Sequence, residues 1–226
     1  MLGHAAGIRR ERCCERRIHD SGMTIRHTFE AFDWHFQPSL DRSVVEELAG
    51  LGFLARKQDL VITGKPGTGK SHILGAIALR ACIDGRLVRY ARFVDLLTDL
   101  HAGLADGSYE ARLRRWARHE FVVLDDVGLG QVPSHGDAPT AAHMPWNLID
   151  RRHQLRPTAI SSNIKLSAWG KYLGDATVTA AILDRLAMTA VRLDINGPSY
   201  RQHLARLRAG QPADDAATES PDLETA

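Results

Sequence analysis

Apolar residues follow two rhythms along the chain. Short runs of strand length occur at residues 59–63, 87–91, 121–124, 158–162 and 191–195; they are rich in β-branched residues, and the last alternates polar with apolar. Longer segments carry a helical rhythm. Residues 72–82 are apolar almost all round, with His72 and Arg80 as exceptions, which suits a helix packed against a sheet. Phe93, Leu96, Leu97, Leu100 and Leu104 fall at helical spacing. Residues 105–108 break that helix, and Tyr109, Leu113 and Trp116 share one face of a second. Further helices are expected over 43–51, 140–152, around 181–186 with Asp175 as a candidate cap, and over 198–207. Strands and helices alternate from residue 59 to 195, the pattern of an α/β fold with a parallel sheet.

Residues 1–27 are expected to be helical in part but poor in apolar spacing, a basic arm before the body of the chain. Residues 28–36 are dense in rings (Phe29, Phe32, Trp34, Phe36) and end at Pro38. Such a run either packs on the core or forms one wall of a purine pocket. Residues 127–139 read as a loop rich in Gly, Pro, Ser and His. Residues 210–226, rich in Ala, Asp, Pro and Ser, are expected to be a disordered acidic tail. The domain division is therefore 1–27, 28–209 and 210–226.

Composition changes the picture in two places. A chain of 226 residues that is 44% hydrophobic can bury a core, and its net charge of +2 hides an uneven spread. Arg9, Arg10, Arg12, Arg16, Arg17 and Arg26 crowd the first segment, while Asp214, Asp215, Glu219, Asp222 and Glu224 crowd the last. That asymmetry points to a polyanionic partner or to solvated ends. Three cysteines, two of them adjacent, argue against a disulfide framework and for a reducing, cytoplasmic compartment. No apolar run is long enough to span a bilayer.

The candidate chemistry centres on residues 64–71, GKPGTGKS, which fit G-x-x-x-x-G-K-S/T between an expected strand and an expected helix. Gly64, Gly67 and Gly69 let the backbone curl around phosphates, with Lys65, Pro66 and Thr68 completing the loop. Lys70 supplies a positive charge, and the Ser71 hydroxyl can ligate magnesium (Mg) beside ATP. The strand at 121–124 runs into Asp125 and Asp126. Asp125 suits the magnesium shell and Asp126 the activation of a water molecule. Asn163, at the end of another strand, would lie near the γ-phosphate if that strand neighbours the first. On the second helix of the pair, Arg112, Arg114, Arg115 and Arg118 share the arc opposite the apolar face. They are either contacts to the phosphates of double-stranded DNA or a solvated face.

The segments TFEAFDW, GKPGTGKSH, VVLDDVG, SSN, GDATVTAAILDRL and GPSYR stand in this order between Thr28 and Arg201. In them the chain resembles the AAA+ ATPases of the initiator and helicase-loader group, and more closely the IstB-like helper ATPases of bacterial insertion sequences. The resemblance implies a three-layer αβα P-loop NTPase with a five-stranded parallel sheet in the order 5-1-4-3-2 and little or no lid domain. It implies that Asn163 is the sensor 1 residue and that Arg185 is an arginine finger acting on a neighbouring subunit. Arg201, in SYR, takes a sensor 2 role, and the helix pair after Arg92 contacts DNA. It further implies self-assembly on DNA and a transposase as partner. Two departures stand out. The helpers carry a longer N-terminal domain, of which the basic segment before Thr28 would be a remnant, and their usual Asp-Glu pair is Asp125-Asp126 here.

Four other readings bear on these residues. A replicative helicase loader has the same ATPase, and a nucleotide-dependent DNA-binding module would use the site with little turnover. A small-molecule kinase does not need an arginine held for a neighbour. A GTPase is disfavoured because no N-K-x-D motif is present.

Overall fold

In a computed structural model the described residues are 2–132 and 141–209. Five strands form one sheet: β1 (Leu60–Gly64), β2 (Val88–Arg92), β3 (Phe121–Val127), β4 (Thr158–Ser162) and β5 (Val191–Ile195). All pairings are parallel, in the spatial order β2-β3-β4-β1-β5, which is 5-1-4-3-2 counted from the other edge. Among the described residues the helices are α1 (Leu2–Ser21), α2 (Arg42–Ala49), α3 (Gly52–Ala55), α4 (Lys70–Ile83), α5 (Phe93–Ala105), α6 (Tyr109–Ala117), α7 (His143–Arg152), α8 (Trp169–Leu173), α9 (Ala176–Thr189) and α10 (Tyr200–Arg208).

The strands carry side chains alternately to two cores, because successive residues of a strand point to opposite faces. Leu60 and Ile62 of β1, with Phe121 and Val123 of β3, join Ile73, Leu74 and Ile77 of α4, Val45 and Leu48 of α2 and Phe53 of α3. Val61, Val122, Leu124 and Ile160 face the other way. They meet Leu96, Leu97 and Leu100 of α5, Trp116 of α6, Leu148 of α7, Trp169 of α8 and Ile182 of α9. These are the three layers expected from the sequence. Truncating any of these leucines to alanine should cost about 2–5 kcal/mol. Asp175 caps α9 as expected, its carboxylate accepting from Val178 N at 2.9 Å.

Four expectations need correction or bounding. The segment before Thr28 is not an arm: α1 runs 20 residues and packs on α4 and β2. Cys14 and Ile18, four apart, supply the contact, Ile18 and Ser21 are buried, and the carbonyl of Arg17 accepts from the Cys82 thiol. The helix expected over 140–152 is shorter, beginning at His143. The end of the expected 127–139 loop and the expected acidic tail lie outside the described residues. No described helix is long and apolar enough to cross a membrane.

Candidate active site

The ends of β1, β3 and β4 converge on one cleft, where the helix α4 begins. The loop from Gly64 to Gly69 turns tightly because Gly67 and Gly69 take left-handed conformations, with φ of 86° and 99°. A Cβ on Gly69 would lie 2.7 Å from the Phe32 ring, and one on Gly67 would overlap Ser199. The loop is thus pressed between the aromatic segment and the start of α10.

Lys70 is 3% exposed, and its ammonium donates to the carbonyls of Gly64 at 2.8 Å and Lys65 at 2.7 Å. Burial pulls its pKa down to about 8, with Arg201 adding to the fall and Asp126 and Asp125 opposing it. Ser71, one residue on, donates to Asp125 Oδ1 at 3.1 Å.

Asp125 is 5% exposed and fully engaged. The Tyr90 hydroxyl of β2 donates to Oδ2 at 2.6 Å, and Ser161 of β4 donates to Oδ1. The neighbouring strands on both sides therefore hold this carboxylate. Burial, together with the facing carboxylate, raises the pKa of Tyr90 and keeps its hydroxyl a donor.

Asp126 sits where the β3–β4 ladder slips register between Leu124 and Val127. Its φ is 65°, a left-handed conformation that aspartate tolerates better than most residues. Freed from the ladder, its amide donates to Ser161 Oγ at 2.8 Å, and its Oδ1 accepts from Asn163 Nδ2 at 2.9 Å. A break in the sheet thus turns two successive carboxylates to different tasks.

The far wall of the cleft comes from both ends of the described chain. His27, Phe32, Phe36 and Gln37 face it from the aromatic segment, and Tyr200 and Arg201 from α10. Gln37 Nε2 donates to Pro198 O at 2.8 Å, and Tyr200 N donates to Gly67 O at 2.9 Å, so the two segments are tied to each other and to the loop. The His27 and His72 rings lie 4.4 Å apart, and the Phe32 ring meets His72 edge-on at 5.3 Å. Burial, with His72 beside it, lowers the pKa of His27. Phe32 belongs to the core and also lines the cleft.

Lys65 packs just outside this cleft, while Pro66, Gly67, Thr68, Gly69, Lys70, Ser71, Asp126, Asn163 and Arg201 line it. Arg185 does not line it. It lies on α9, bonded to Asp150 at 3.2 Å and over the Trp146 ring at 5.7 Å. Sequence reasoning missed Tyr90 and Ser161. The signal present was a hydroxyl on each strand that flanks β3.

The face of α6 differs from expectation. Arg112 is half-buried and bonded to Asp99 at 2.7 Å and Asp106 at 2.8 Å, while Arg115 reaches Asp99 at 3.0 Å. The Trp116 indole donates to the same carboxylate at 2.7 Å. Arg114, Arg115 and Arg118 are exposed, and among the described residues Arg114 and Arg118 make no ion pair.

The donor set fits a magnesium ion that arrives with a nucleotide. Among the described residues no group of three or more His, Cys, Asp or Glu side chains could hold a metal unaided. One hydroxyl and one carboxylate, Ser71 and Asp125, are the hard ligands a magnesium–phosphate complex needs from a protein.

Sheet order, loop and paired carboxylates together define a P-loop ATPase of the AAA+ kind. The chain belongs to the IstB-like ATP binding protein family, whose profile matches residues 1–208. It is 32% identical over 193 residues to an insertion sequence IS21 putative ATP-binding protein of Pseudomonas aeruginosa, covering 85% of this chain and 71% of that one. It is 35% identical over 178 residues to a putative insertion sequence ATP-binding protein, y4pL, of Sinorhizobium fredii, covering 78% of this chain and 70% of that one. Among solved structures, DnaI superposes with a TM-score of 0.58 at 20% identity, covering 75% of this chain and 91% of that one. AMPPCP-bound DnaA from Aquifex aeolicus superposes with a TM-score of 0.63 at 18% identity, covering 84% of this chain and 56% of that one. These two likenesses show the fold.

Proposed function

We propose that the chain is a magnesium-dependent ATPase that assembles on double-stranded DNA and delivers target DNA to a transposase. The observation that carries the reading is one cleft lined by Lys70, Ser71, Asp126, Asn163 and Arg201, with Asp125 bonded to Ser71. The names of the insertion-sequence relatives support the transposition setting.

In this mechanism the loop amides and Lys70 bind the β- and γ-phosphates. Lys70 exchanges its bonds to two loop carbonyls for bonds to phosphate oxygens. Ser71 and Asp125 would hold a magnesium ion, which would supply charge neutralisation on the phosphates. Asp126 accepts the proton of the attacking water as the new P–O bond forms and the bond to the ADP oxygen breaks. Asn163, bonded to Asp126, fixes the direction of that carboxylate. Arg201 faces the terminal phosphate. Arg185, outside its own cleft, acts on the nucleotide of the next subunit in the oligomer. Arg114 and Arg118 contact DNA, while Arg112 and Arg115 brace α6 against α5.

Phosphate release from ATP, followed with and without duplex DNA and with the magnesium chelated, tests the catalytic part. Release that needs magnesium and rises with duplex is expected. Binding of ATP without release in any condition would leave a nucleotide-dependent DNA-binding module instead. Co-purification with a transposase, against a replicative helicase, tests the partner.

A further inference from the structure

The exposed arginines of α6 do not stand alone. Arg114 and Arg118 line a concavity with Ala117, and its other wall is Arg151 at the end of α7 together with Leu155 and Arg156. Arg156 lies in the turn that leads into β4, so the concavity sits at the N-terminal edge of the sheet. The phosphate-binding loop follows the C-terminal end of β1, at the opposite edge.

A rigid scaffold underlies this surface. Arg152 is 1% exposed, and its guanidinium donates to Ala117 O at 3.1 Å, His119 O at 2.6 Å and Thr158 Oγ1 at 2.9 Å. It ties the end of α6 to the end of α7 and the start of β4. Arg156 Nη1 adds a bond to Ala117 O at 2.8 Å. Among the described residues the one carboxylate in ion-pair contact with any of the four lining arginines is Glu110, which holds Arg151 at 2.8 Å.

We propose that this four-arginine concavity binds the phosphodiester backbone of double-stranded DNA. Resting on the DNA reading above, the site moves contact from one helix face to a surface shared by α6, α7 and the turn before β4. Three features select this occupant. Four guanidiniums against one carboxylate suit a polyanion, and their planar forks match phosphate oxygens. A protein partner would want an apolar centre, and among the described residues Leu155 and Ala117 are the only apolar ones in the lining. A single strand would want rings on which to stack its bases, and among the described residues no aromatic side chain lines the concavity.

Anisotropy of a short fluorescein-labelled duplex, titrated with the full chain over a salt series, tests this. ATP binding at the other end of the sheet serves as the folding control. The Arg151→Gln/Arg156→Gln double variant should bind more weakly and lose about two units of the log–log salt slope. Arg114→Gln/Arg118→Gln should lose a similar amount. Glu110→Gln, which releases Arg151, should tighten binding about two- to fivefold, a gain that misfolding cannot imitate.

Wild-type behaviour of the Arg151/Arg156 variant beside a weakened Arg114/Arg118 variant would overturn the concavity and leave the α6 reading standing. Wild-type behaviour of both would overturn the two together. Equal or tighter binding of the unpaired strand, or of polyglutamate, through the same arginines would overturn the choice of duplex DNA.

Discussion

The two edges of the sheet handle charge in opposite ways. At the C-terminal edge Lys70 and Asp125 are buried, and each is already bonded to groups of its own chain. At the N-terminal edge Arg114 and Arg118 are exposed and, among the described residues, paired with no carboxylate, on a scaffold whose buried arginine faces inward. Buried, pre-bonded charges are set up to meet a small ligand in one geometry, and moving one of them breaks the site. Exposed cations gain from a polyelectrolyte by releasing counterions, which demands little geometry and fades with salt. The first edge should therefore be sensitive to single substitutions and indifferent to moderate salt, and the second the reverse.

The largest effect expected is from Lys70→Ala. Calorimetry should show loss of ATP binding, because no other cleft residue can replace an ammonium that reaches two loop carbonyls. Nucleotide-free DNA affinity should be unchanged, and a parallel fall would show that the two edges are not independent.

Next comes Arg185→Ala, which should keep ATP binding and lose turnover by about 10³ to 10⁵, the range for fingers supplied to a neighbouring active site. Mixing it with Asp126→Asn should restore part of the activity, since one variant keeps the site and the other keeps the finger. No recovery, in mixtures shown by sizing to co-assemble, would make the nucleotide edge complete within one chain.

A smaller contrast compares Tyr90→Phe with Arg114→Gln in urea unfolding. Tyr90→Phe removes a donor from the buried carboxylate of Asp125 and should cost about 1–3 kcal/mol. Arg114→Gln should stay within about 0.5 kcal/mol, as surface changes do. Equal costs would erase the distinction between the edges.

The mildest test is pH. In the free protein the Lys70 pKa is pulled down to about 8, and ATP needs the charged form. Affinity should be flat below pH 8 and weaken above it, by at most about tenfold per unit. For stability the sign runs the other way. The unfolded chain holds the Lys70 proton up to its ordinary pKa while the folded chain releases it near 8, so the cost of burying the charge is relieved as pH rises between the two.

The nucleotide edge was legible in the sequence because its phosphate loop is contiguous: residues 64–71 carry the glycines, the lysine and the serine in one stretch. Strands β1 and β3 were legible because burial on both faces leaves them largely apolar, and β5 because it alternates. What escaped was everything decided by a neighbour distant in sequence. A helical count puts Arg112 and Arg115 on an exposed arc, but Asp99, on α5, claims them both. Tyr90 and Ser161 hold Asp125 from adjacent strands, 35 and 36 positions away. The packing of α1 was hidden because its contact rests on a few residues late in a helix otherwise crowded with charge. Arg151 and Arg156 carried no pattern of their own; α6 and the buried Arg152 give them their place.

The cleft is closed by Gln37 bonding to Pro198 and by Tyr200 bonding to Gly67, so its walls are the earliest and latest stretches of the ATPase body to be made. During translation, at about 5–20 residues per second, the phosphate loop and both carboxylates leave the ribosome well before α10 does. A nascent chain therefore carries the phosphate loop and both carboxylates before the wall that completes the pocket. Closing the cleft is a late event of biosynthesis, because the Gln37–Pro198 and Tyr200–Gly67 bonds can form only once synthesis has passed Tyr200.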